Sequence, residues 1–163
     1  MLKFFRRLRQ SRAGNASVEF ALVASFVLLP FGLGATDFLS VISAQAQLNT
    51  ALQSLYYFAY TNPTAANNTT YAGYIISLIN QSSIYQISLP ATMSSGAANA
   101  SLSYGCFTPP STTITYQSTA CATGQTQQTL VSYQVSTTVA LPFPLPGFAN
   151  PMPLTATGKV QVE

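Results

Sequence analysis

The chain has 163 residues, of which 6% are charged, and its net charge is +3; soluble domains typically carry charge on roughly a quarter of their residues. It has no histidine, and its three acids, Glu19, Asp37 and Glu163, are far apart in sequence. That excludes the usual histidine and paired-carboxylate acid–base chemistry, leaves the many serines without an activating base, and removes the common zinc sites, so no enzyme, cofactor or metal role is expected.

Five of the six bases, Lys3, Arg6, Arg7, Arg9 and Arg12, lie within residues 1–12. Basicity is therefore a property of one tail, and nucleic acid is not an expected partner. Phe20 to Thr36 follows with no charge at all, a stretch of about 17 residues and roughly 26 Å as a helix. This is the lower limit for crossing the hydrocarbon core. The span is placed at about residues 18–37, with the basic tail kept cytoplasmic and the rest of the chain outside the inner membrane. Pro30 removes the helical bond to the Phe26 carbonyl and predicts a kink; Gly32 and Gly34 permit close approach of another helix. Val41, Ala44, Leu48, Ala51, Leu55 and Phe58 then recur at three- and four-residue steps. The helix is thus expected to continue in amphipathic form to about residue 60, where Asn62-Pro63 stops it.

A carboxylate at the head of the apolar run has no place in a plain anchor. The residues before it are Gly14, Asn15, Ala16, Ser17 and Val18, and Phe20 follows it. A basic leader, a small residue at a cut, four residues, then Glu and an aromatic resemble the type IV pilin processing signal. The wider stretch "RAGNASVEFALVASFVLLPFGLGATDF" is similar to the TadE-like minor pilins, or pseudopilins, of the tight-adherence (Tad, type IVc) pilus. Val18-Glu19-Phe20-Ala21-Leu22, Pro30, Gly32 and Asp37 fill the family's places.

The resemblance implies that a prepilin peptidase removes residues 1–14 by cutting after Gly14, leaving Asn15 as the new N-terminus. Its ammonium group would pair with Glu19 of a neighbouring subunit, with Phe20 alongside. It also implies partners: the peptidase, the major pilin and other minor pilins, the inner-membrane assembly platform, and the membrane before assembly. The implied role is in pilus assembly, priming, or adhesion at the tip, with the protein at the cell surface once assembled. Two other schemes are open to the same residues. One is an uncleaved single-span protein with a periplasmic binding domain. The other is a secreted adhesin released after Ala46, because Ala44-Gln45-Ala46 has the A-x-A form of a signal-peptidase site.

The remainder, residues 71–163 after a polar linker at 61–70, is expected to be an extracytoplasmic head. Tyr71, Tyr74, Ile75, Leu78 and Ile79 fall on one face of a short helix, capped by Thr69 or Thr70. Alternation at Tyr85–Leu89, Leu102–Cys106, Thr129–Leu141 and Leu154–Glu163 predicts about four antiparallel strands, with Ile114 and Tyr116 as a possible extra one. The fold class is therefore α+β, a pilin-like long helix followed by a short helix and a small sheet. An oxidising compartment would pair Cys106 with Cys121, closing a loop of about 15 residues and stabilising the head by roughly 3 kcal/mol. A proline-rich connection from Pro142 through Pro153 carries Phe143, Leu145 and Phe148. These either fold onto their own domain or form an apolar interaction patch.

Overall fold

The computed structural model describes residues 16–143, 147 and 149–162. Helix α1 spans Ala16–Thr61, about 69 Å at the usual rise. A 3-10 turn at Pro63–Ala65 and helix α2, Thr69–Asn80, follow. Strands β1 (Ser101–Phe107), β2 (Thr115–Gln117), β3 (Thr126–Val139) and β4 (Met152–Gln161) form one antiparallel sheet in the order β2-β1-β3-β4. The α+β architecture is the expected one.

Between Ala16 and Thr36 no described side chain of α1 is buried. The later part lays Asp37, Ala44, Leu48, Ala51, Leu52, Leu55 and Ala59 inward. Alanines on this stripe bring the helix axis close to the sheet. Leu48, Ala51 and Leu55 pack with Ala72 and Ile76 of α2, Val131, Tyr133 and Val135 of β3, and Ala156 of β4. Phe58 is not in that core but packs its ring against Tyr71, with centroids 6.3 Å apart.

Pro30 is accommodated by a change of helical winding. Ala24–Leu28 is π-helical, and the Leu29 N–H donates to the Ala24 carbonyl five residues back. Widening the turn just before a proline relieves the demand for its missing donor.

Several local expectations are corrected. The cap of α2 is Asn68, whose side chain accepts from the Thr70 N–H at 2.9 Å, and not Thr69 or Thr70, which lie inside the helix. The polar linker at 61–70 is packed onto the head. Ala66 is fully buried and its carbonyl accepts from the Tyr133 hydroxyl.

The segment Tyr85–Leu89 does not form a strand and contributes a single bridge, Ser88 to Ser136. The Asn80 side chain takes the place of a ladder neighbour for Ile87, accepting its N–H at 2.9 Å and donating to its carbonyl at 2.8 Å. The fourth strand is instead the short β2 around Tyr116. β3 stops at Val139, although Leu141 stays buried. β4 begins earlier than expected, at Met152, and so includes Pro153 opposite Thr138. As an outer strand it has one unpaired edge, where a proline is tolerated. Cys106 of β1 and Cys121 are joined by a disulfide, with Cα atoms 5.5 Å apart, tying the excursion that carries β2 back to the sheet.

Candidate helix-packing site and its anchor to the head

The first half of α1 is an apolar cylinder with one acid on it. Glu19 is exposed, between Val18 at 60% and Phe20 at 69% exposure. Leu22, Val23, Phe26, Val27, Leu29 and Phe31 are exposed around the rest of the circumference. The helix satisfies its own backbone, which is the condition for lying in lipid or among other helices, and it is long and apolar enough to cross a membrane. The only other charged side chains among the described residues are Asp37 and Lys159. Lys159 lies in β4, so nothing described within the chain is built to neutralise Glu19. Gly14 and Asn15 lie outside the described residues, as do Leu145 and Phe148 of the proline-rich connection. A Cβ added at Gly32 would meet nothing within 4 Å. No contact inside the chain requires that glycine, and it leaves the helix surface flat where a second helix could approach.

Asp37 is a site residue whose role sequence reasoning left open. It is buried, and its Oδ1 accepts the Phe143 N–H at 3.1 Å across 106 residues of chain. Oδ2 is also buried and has no hydrogen-bond partner. Next to this link the Asn150 side chain clasps Leu141, accepting its N–H at 3.0 Å and donating to its carbonyl at 3.1 Å. Leu141 packs with Ala44 and Val139 in a small second core, bordered by Val41, Tyr85, Met152 and Leu154. The start of the proline-rich connection is thus fastened to α1 where the exposed half of the helix gives way to the buried stripe. The Phe143 side chain itself remains 47% exposed. The signal for Asp37 was present in the sequence: it lies seven residues before Ala44, on the same face of the helix.

Comparison with known proteins addresses only the helix. Residues 14–54 match the family model described as TadE-like protein. The match starts at Gly14 and ends within α1, so it covers none of the sheet. Neither the curated proteins nor the solved structures contain a match to the chain.

Proposed function

We propose, from the premise that the chain is TadE-like over residues 14–54, that it is a minor pilin of a Tad-type pilus. On this reading it is made as an inner-membrane precursor with its head outside, and is cut after Gly14 by a prepilin peptidase. It then joins, primes or tips a filament through α1, together with the major pilin and other minor pilins at the assembly platform. The observation that carries the reading is the apolar half of α1, with no buried side chain from Ala16 to Thr36 and Glu19 near its start. Before assembly, lipid covers that surface; afterwards, neighbouring helices do. A carboxylate in such surroundings is tolerated only where a cation meets it. The new ammonium group on a neighbour's Asn15 is the cation the processing scheme supplies. Release after Ala46 is disfavoured, because it would cut α1 within the head-packing stripe and strip Asp37 and Ala44 from the folded unit.

N-terminal sequencing of protein from the native host tests the reading. Asn15 as first residue is expected. Met1 would make it a tethered domain and Gln47 a secreted one. Gly14→Val should leave the larger, unprocessed form on a gel. Glu19→Ala should be processed but fail to enter filaments; normal incorporation would remove the pairing role.

A further inference from the structure

The face of the sheet turned away from α1 carries a hollow whose lining mixes serines and other uncharged polar side chains with Met93, Ala97, Leu102 and Tyr116. Register places Ser101, Ser132 and Lys159 directly opposite one another across β1, β3 and β4. Side chains alternate along a strand, so this row lies on the face opposite Val131, Tyr133 and Val135. The hollow above it, about 760 Å³, is bounded on one side by Tyr116 of β2 and on the other by the segment around Ser94. That segment is held down by Gln134, whose side-chain oxygen accepts the Ser94 N–H at 2.6 Å and whose amide donates to the Ser94 hydroxyl at 2.9 Å. The walls therefore stand on strands and on a fastened loop, which is how a rigid binding site is built.

Three features inside it specify a ligand chemistry. Ser101 and Ser132, partners in register across β1 and β3, bring two hydroxyl side chains together in the wall. The exposed Tyr116 ring presents a flat apolar surface, and Lys159 Nζ stands 5.6 Å from its centroid. Lys159 is also the only charged side chain among the described residues beyond α1. The combination calls for a compact ligand with hydroxyls, one flat apolar face and a single negative charge. A lipid tail would strand the serine hydroxyls, a metal ion would find no carboxylate among the described lining residues, and a nucleic acid would need several cations. We propose that this hollow binds a carboxylated sugar unit, with Lys159 on the carboxylate, Tyr116 against the ring and Ser101 and Ser132 on its hydroxyls. Its volume is that of an ordinary small-molecule site.

The inference concerns the head and does not depend on cleavage at Gly14, so it stands or falls separately from the pilin reading. The test uses the full chain in detergent micelles. The probes are immobilised oligosaccharides ending in uronic or sialic acids, their carboxyl-reduced neutral counterparts, and short peptides with free C-terminal carboxylates. Binding to at least one acidic sugar is expected, weakened about tenfold by carboxyl reduction, equivalent to 1.4 kcal/mol. Lys159→Met should weaken it by about the same factor and Lys159→Arg should retain it, with the unfolding temperature unchanged in both. Ser101→Ala should weaken it by a smaller factor. Absence of binding to every acidic sugar, equal binding of acid and reduced forms, binding confined to the peptides, or full affinity in Lys159→Met would each overturn the proposal.

Discussion

At the scale of single residues, Tyr133 joins the sheet to the turn that follows α1. Its ring is fully buried, its hydroxyl donates to the Ala66 carbonyl, and burial pushes its phenol up to about 12. In the unfolded chain the phenol ionises near pH 10. Between about pH 10 and 12 the native state therefore holds a proton that the unfolded state has released, and stability falls as pH rises through that window. Below it both states are neutral and the group contributes no pH dependence. Burial raises Tyr56 as well, so the two phenols act in the same direction. Urea titrations at pH 9 and pH 11.5 should show a drop in midpoint that Tyr133→Phe reduces. At pH 7 the same substitution should cost about 1–3 kcal/mol, because the Ala66 carbonyl loses its donor. Polar side chains that bond the backbone were the least legible residues in the sequence. Asn68 and Asn80 look like any other asparagine in a polar stretch; only the path of the folded chain gives one a helix N-terminus and the other the backbone of Ile87.

At the scale of elements, the docking of α1 on the sheet turns on a side chain that is missing. Gly158 of β4 lies opposite Tyr133 in register, and a Cβ built on it would overlap the Tyr56 hydroxyl from α1. Tyr56 also packs against Tyr133, with centroids 6.4 Å apart. Gly158→Ala should therefore force the helix or the tyrosine to move and destabilise the head by about 1–3 kcal/mol, as overpacking generally does. Thermal unfolding measures this, and adding Tyr56→Phe should recover part of the loss, since it removes the nearest clashing atom. The alternation that marked β4 was legible, as were β1, β3 and both helices, because periods of two and 3.6 are written into the order of apolar residues. Tyr85–Leu89 shows the limit of that signal. It alternates as a strand does, yet it is paired only at Ser88 because a side chain occupies the place of a neighbouring strand.

At the scale of the whole molecule, Asp37 couples the head to the part of α1 that the head does not cover. Its single hydrogen bond holds the proline-rich connection against the helix just beyond the exposed apolar half. Asp37→Ala should leave the Phe143 N–H without its acceptor and loosen the small core around Leu141. The expected loss is about 1–3 kcal/mol of head stability and faster proteolysis near residue 143, both read on protein in detergent. Asp37→Asn, which keeps an acceptor oxygen, should lose less. If Asp37→Ala left stability and proteolysis unchanged, the anchor would be unimportant.

The amino-acid sequence by itself determined the long helix, its membrane-compatible first half, the carboxylate at its start and the α+β class. Each of these is local, or depends on composition, and local patterns are set by covalent order. The tertiary structure alone decided what Asp37 binds, why residue 158 must be glycine, which segment supplies the fourth strand, and that the outer face of the sheet is hollow. Those are meetings between segments far apart in the chain, and the partner of a carboxylate 106 residues away is set only when the fold closes the distance.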